Sequence, residues 1–133
     1  MNVVDSSGWL EYFADTENAK HFAEVICDTS KLLVPTISLA EVFKRVLQQR
    51  DENTALQIVA TMQQGHVIDL DSSLALSAAK LGQELKLPMA DAIILATARR
   101  HGAVLWTQDS DFAGIGGVKY FPKTETSLPP AKK

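Results

Sequence analysis

Residues 87 to 112 read LPMADAIILATARRHGAVLWTQDSDF, and this stretch decides the fold. From Ala90 to Ala98 nearly every position is apolar on all sides of a helix, the pattern of a helix enclosed by protein. Asp91 nevertheless sits in its first turn, and a buried carboxylate costs several kcal/mol unless it is paired, hydrogen-bonded or bound to a metal. The helix is expected to stop at His101-Gly102, where glycine fits the left-handed position past a helix end. Ala103 to Trp106 then reads as a short buried strand that runs into Thr107-Gln-Asp109-Ser-Asp111-Phe112. A short connection folds the strand back along its helix, so Asp91 and Asp109 are expected to be neighbours.

Working outward, the remaining chain alternates strands and helices. Met1–Val4 is a short apolar strand followed by Asp5-Ser6-Ser7, with Asp5 as N-cap of a helix carrying Trp9 to Phe13. Residues 16 to 30 place Ala19, Phe22, Ala23 and Ile26 at helical spacing after a Thr16-Glu17-Asn18 start signal. The second strand covers 31 to 36 and the next helix opens at Ser38. Ser38 followed by Glu41 fits a capping box, which is the structural reading of Glu41. A helix over 51 to 64, a strand at His66–Ile68, and a helix capped by Asp71 with Leu74, Ala78, Leu81 and Leu85 on one stripe complete the approach to Leu87. Beyond Phe112 come a glycine-rich loop and an edge strand over 118 to 121. The tail 122–133 lacks apolar periodicity and is expected to be disordered, leaving one domain over 1–121.

Alternating elements of this kind imply βαβ units and a parallel sheet covered on both faces. Ligands of such folds bind beyond the carboxyl ends of the strands, near the switch in strand order. Asp5 lies just past the first strand, Glu41 a few residues past the second, Asp109 just past the fourth, and Asp91 on the helix alongside. Each acid has a capping explanation by itself, but capping does not require all four to meet at one sheet edge. Carboxylates gathered in an apolar setting repel one another and bind protons unless cations neutralise them. Hard oxygen ligands suit Mg²⁺ or Mn²⁺, and an open carboxylate site of this type serves phosphoryl-transfer chemistry. Zinc is disfavoured, because His21, His66 and His101 stand at no ligand spacing with the single Cys27.

Composition sets the bounds. The 133 residues are 46% hydrophobic with 7 Gly and 5 Pro, enough for one domain with its own core. The sequence shows neither an apolar run of membrane-spanning length nor a secretory leader, so a soluble, cytoplasmic protein is expected. Cys27, beside Ile26 on an apolar face, reads as an inert core thiol. The net charge of −3 argues at first against a nucleic-acid partner. Assigning four carboxylates to a metal site leaves −3 + 4 = +1 on the remainder, so the sign of the total is a poor guide.

The motifs resemble those of PIN domains, and the size and layout resemble VapC-type toxins of toxin–antitoxin pairs. The resemblance runs from residue 1 to about 121, through Asp5-Ser6-Ser7, Ser38-Leu-Ala-Glu41-Val42, Leu87 to Ala98, and Thr107 to Phe112. It implies a three-layer α/β/α sandwich around a five-stranded parallel sheet and an Mg²⁺-dependent endoribonuclease, with Mn²⁺ able to substitute. It also implies an acidic quartet of Asp5, Glu41, Asp91 and Asp109, a homodimer, an RNA substrate and a cognate antitoxin. Thr107 and Ser6 become supporting groups behind the acids, and Asp111 is either a metal contact or the N-cap of the turn at Phe112. Lys44, Arg45, Arg99 and Arg100 are basic residues available for phosphates, although each alone reads more simply as part of a solvated helix face. Three rivals remain. A receiver domain would use Asp5, Asp69, Thr107 and Lys119 but leaves Glu41 and Asp91 unexplained and wants an acid where Ser6 stands. A dehalogenase-like phosphatase would be built on Asp69-Leu-Asp71, with too little chain downstream for its machinery. A catalytically silent PIN-like module would bind RNA or a partner without cutting.

Overall fold

A computed structural model describes residues 1 to 123; the expected disorder of the tail falls on residues that, from 124 onward, lie outside those described. Five parallel strands form one sheet in the order β3-β2-β1-β4-β5. They are β1 (Asn2–Val4), β2 (Leu32–Pro35), β3 (His66–Ile68), β4 (Val104–Thr107) and β5 (Val118–Tyr120). The helices among the described residues are α1 (Ser6–Ala14), α2 (Ala19–Cys27), α3 (Thr36–Gln49), α4 (Glu52–Met62), α5 (Ser72–Leu85) and α6 (Met89–Arg100). The sheet is the expected five-stranded parallel one between helical layers.

Strand alternation divides the core. Val3 and Leu33 are register partners, as are Val3 and Leu105, and these three side chains share a cluster with Ile94, Leu95 and Ala98 of α6. Val4, Leu32 and Val34 point to the opposite face and pack with Trp9, Phe22, Ile26, Val42 and Met62 from α1 to α4. α5 reaches the core through α6, where Leu74 and Ala78 meet Ile93 and Ala96. This enclosure explains why α6 is buried without a break from Ala92 to Ala98. The helix ends as its sequence requires, with Gly102 at a φ of +63°.

Local signals placed most boundaries. Asp5 caps α1 by accepting from the Gly8 amide, Asp51 caps α4, and Asp71 caps α5. Three expectations need correction. α3 begins at Thr36 with Pro35 as N-cap, so Ser38 is the third helical residue and Glu41 lies beyond the first turn. No capping box forms: the Ser38 hydroxyl is buried without a hydrogen-bond partner among the described residues, and Glu41 turns elsewhere. Cys27 is exposed, because the buried stripe of α2 is Ala19, Phe22, Val25 and Ile26, and the last helical residue falls off it. Asn18 precedes α2 but makes no side-chain cap.

Gly8 is required where α1 crosses β1. A Cβ there would stand 2.7 Å from Val4 Cγ1 and 2.9 Å from the Phe22 ring, both fully buried. Gly8→Ala is therefore expected to lower stability by about 1–3 kcal/mol, the usual range for overpacking a filled core, and denaturant melts of the two proteins check it; equal midpoints would show that the core can give way.

Candidate metal centre

The strand order places the site. The chain moves from β1 through β2 to β3 on one side and then crosses to β4 and β5 on the other, so the switch point lies between β1 and β4. Asp5 follows β1 immediately, and its amide continues the pairing by donating to the Trp106 carbonyl at 3.1 Å. Alternation puts Asp5 on the face of Val3 and Thr107 on the face of Leu105, so the two meet under α6. The Thr107 hydroxyl donates to Asp5 Oδ2 at 2.7 Å and accepts from the Asp109 amide at 2.9 Å. Ser7 donates to both Asp5 oxygens at 2.9 and 3.0 Å. Asp5, only 2% exposed, is thus a fully engaged carboxylate at the floor of the site.

Asp91 is the third residue of α6, half-buried, with its helix N-terminus toward the acids. One oxygen each of Asp91, Asp109 and Asp111 lies within 4.8 Å of the others. Glu41 comes from α3, where its Oε1 accepts from the Ser6 hydroxyl at 2.5 Å. The electrostatics record the convergence. Burial pushes the Asp91 carboxyl up from 3.8 to about 7, with the charges of Asp109, Asp5, Glu41 and Asp111 adding to the effect in that order. Burial likewise raises Asp5 from 3.8 to about 6; hydrogen bonds from Thr107, Gly8 and Ser7 oppose the rise, and Asp109 adds to it.

All four acids of the expected quartet therefore face one another at the carboxyl edge of the sheet, but the tightest group includes Asp111 in place of Asp5 and Glu41. Asp111 is not the N-cap of the turn at Phe112. Asp109 fills that role by accepting from the Asp111 amide at 2.9 Å, which leaves the Asp111 side chain exposed beside the cluster. Ser6 and Thr107 stand behind Glu41 and Asp5 respectively. The donor set consists of carboxylate oxygens alone, and burial with neighbouring negative charge pushes two of its members, Asp91 and Asp5, toward neutrality; this fits a hard divalent cation.

Of the basic candidates, Lys44 and Arg45 are exposed on α3 within a turn of Glu41. Arg99 and Arg100 lie about 12–14 Å along α6 from Asp91 at 1.5 Å per residue. Arg99 donates to the Gly116 carbonyl, and Arg100 pairs with Asp71 at 3.3 Å. Both are engaged within the chain, away from the acids. The same pair removes the phosphatase alternative, since Asp71 is a cap and an exposed ion-pair partner. The receiver alternative fails too, because Asp69 follows edge strand β3, separated from β1 by β2. A cavity of about 450 Å³ between α5 and α6, lined by Leu74, Lys80, Glu84, Arg99 and Arg100 among others, has in its lining none of the clustered acids Asp5, Glu41, Asp91, Asp109 and Asp111.

Sequence reasoning passed over Ser7, which no periodicity distinguishes from an ordinary first-turn serine. It also passed over Gln108, Asn18 and Glu11, a buried polar group on the other face of β4. Asn18 carried a signal, but one that reads as a helix start.

Acidic side chains gathered at the switch point of a parallel α/β/α sandwich define the class of protein. The PIN domain profile matches residues 3–118, and the chain belongs to the PIN domain family. A search of curated proteins found none that matches the chain. Solved structures do. A toxin–antitoxin complex from Klebsiella pneumoniae is 27% identical, with a TM-score of 0.77 over 92% of this chain and 100% of that one. A DNA-bound VapBC from Salmonella typhimurium is 19% identical, with a TM-score of 0.70 over 91% and 96%. VapC20 of Mycobacterium tuberculosis, described as a toxin that cleaves the sarcin–ricin loop, is 17% identical, with a TM-score of 0.69 over 87% and 95%. The expected fold and family are those found.

Stability should follow the raised carboxyls. The folded pKa values of Asp5 and Asp91, about 6 and about 7, lie above the unfolded value of 3.8, so the folded state holds more protons between these limits and stability falls as pH rises through them. Metal-free protein is expected to melt at a higher temperature at pH 5 than at pH 8 in thermal scans, with the gain complete as pH nears 4; a midpoint that climbs from pH 5 to pH 8 would show that other groups dominate.

Proposed function

We propose that this chain is a divalent-metal-dependent endoribonuclease and the toxin of a type II toxin–antitoxin pair, acting in the cytoplasm where its RNA substrate is found. The observation that carries this reading is the gathering of Asp5, Glu41, Asp109 and Asp111 around Asp91 at the switch point of a PIN domain. Asp91, Asp109 and Asp111 would hold Mg²⁺ or Mn²⁺ directly, with Asp5 and Glu41 completing the negative field. Such an ion supplies Lewis-acid stabilisation of charge at phosphorus and activates water. The protein's own groups do the positioning. Thr107 ties Asp5 to the Asp109 backbone, Ser6 orients Glu41, and the first turn of α6 presents Asp91 with its dipole favouring negative charge. Lys44 and Arg45 offer exposed positive charge beside Glu41 for an RNA phosphate.

The partner follows from the same likeness. Similar structures include a toxin–antitoxin complex and DNA-bound VapBC, which supports a cognate antitoxin for this chain as well. A catalytically silent module remains the alternative that assay separates. No described helix is long and apolar enough to cross a membrane.

Purified protein incubated with total RNA is expected to cut in Mg²⁺ or Mn²⁺ and to be silent in EDTA, with discrete ends on mapping. No cleavage of any RNA with metal present would leave the silent-module reading. Asp91→Asn is expected to abolish cleavage yet, at pH 8 without metal, to be at least as stable as wild type, because it removes repulsion at nearly constant volume. Saturating Mn²⁺ should reverse that order, since a ligand of the folded state stabilises by mass action. A metal-free loss on the order of 1–3 kcal/mol would instead mark Asp91 as a structural partner. Assembly is a separate expectation: sedimentation at tens of micromolar should show a homodimer, and a monomer alone at that concentration would exclude any but a weak dimer.

A further inference from the structure

β4 carries the site on one face and a second polar cluster on the other. Thr107 points toward α6 and the acids, and strand alternation sends the next side chain, Gln108, to the α1 and α2 side. Gln108 is 4% exposed there and held at both ends of its amide. Its Nε2 donates to Glu11 Oε1 of α1 at 2.7 Å, and its Oε1 accepts from Asn18 Nδ2 at 2.8 Å. Asn18 itself is 2% exposed, and its Nδ2 also donates to the Pro122 carbonyl at 3.1 Å, just beyond β5. Glu11 is 6% exposed, and its Oε2 has no hydrogen-bond partner among the described residues. A glutamine clamped this way has both donor and acceptor committed and one orientation open to it.

The clamp grips the backbone between two residues of the site. On one side Thr107 bonds Asp5 and the Asp109 amide; on the other Asp109 begins the turn that presents Asp111. We propose that Gln108 is a positioning residue: held by Glu11 and Asn18, it sets the backbone from Thr107 to Asp109 and thereby the placement of the Asp109 and Asp111 carboxylates toward a divalent cation. The inference rests on the metal-dependent reading of the site and adds residues on the opposite face of the sheet to it. Groups that orient metal ligands without touching the ion are worth about 10–100-fold in metal affinity, whereas a purely structural clamp changes stability alone.

Mn²⁺ titration of the full chain, followed by water-proton relaxation, separates these roles. Gln108→Met keeps the length and loses both hydrogen bonds, and Glu11→Met removes the acceptor. Both are expected to weaken Mn²⁺ binding by about tenfold or more. Glu11→Gln preserves an acceptor oxygen and should bind within about twofold of wild type, well short of the roughly tenfold loss expected of Glu11→Met. Ile58→Ala on α4, which carries none of these residues, should lose stability and keep its Mn²⁺ affinity. Wild-type affinity in folded Gln108→Met, or an equal loss in Ile58→Ala, overturns the positioning role while leaving the metal site intact. If Gln108→Met does not fold, the Glu11→Met and Glu11→Gln pair decides, and equal affinities in that pair overturn the proposal. A wild-type chain that binds no Mn²⁺ refutes the metal-dependent reading itself, and the positioning role with it.

Discussion

Repulsion among carboxylates that the backbone will not let separate is the constraint on which this structure turns. Asp5, Asp91 and Asp109 stand on or just beyond the ends of β1, α6 and β4, elements whose inward residues Val3, Ile94, Leu95 and Leu105 are packed in the core, so their backbones are fixed. Desolvation and mutual charge then raise Asp91 to about 7 and Asp5 to about 6. A fold that keeps such an arrangement is poised for a cation, because a divalent ion removes both penalties at once.

The surrounding hydrogen bonds hold that strain in place. Thr107 links the first strand to the fourth by serving Asp5 with its proton and the Asp109 amide with its lone pair. Ser7 adds donors to Asp5, and Ser6 holds Glu41 across from α3. On the reverse face Gln108 anchors the same backbone to α1 and to Asn18 ahead of α2. β4 is therefore fixed from both sides where its two functions meet, in the way that precise sites are built on rigid elements.

Strand order explains why the acids meet. β1 is central, and the crossover from β3 to β4 by way of α5 and α6 brings the fourth strand to its free edge. β1 runs into α1 on one face and β4 into the turn at Phe112 on the other, at the crevice that parallel sheets use for ligands. Arg99 and Arg100 share α6 with Asp91 but are spent at its far end on the Gly116 carbonyl and on Asp71.

The order of elements, the caps at Asp5 and Asp71, the buried run of α6 and the stop at Gly102 were all legible in the sequence. Each is a local matter, decided by side-chain periodicity or by hydrogen bonds spanning three or four residues. The position of each acid relative to its strand was legible for the same reason. What only the tertiary structure decided lies in contacts between distant residues. Ser6 meets Glu41 across 35 residues, Asn18 and Glu11 meet Gln108 across 90 and 97, and Thr107 meets Asp5 across 102. Ser38 and Glu41 matched a capping box, yet the helix is capped at Pro35, three residues before Ser38, and Glu41 turns to Ser6 and the site. Asn18 matched a helix start, yet its amide went to the buried Gln108 side chain just past β4 and to the Pro122 carbonyl. Local chemistry offers a polar side chain several partners of similar worth; packing removes all but one, and the energy that chooses comes from burial, which no short stretch of sequence contains.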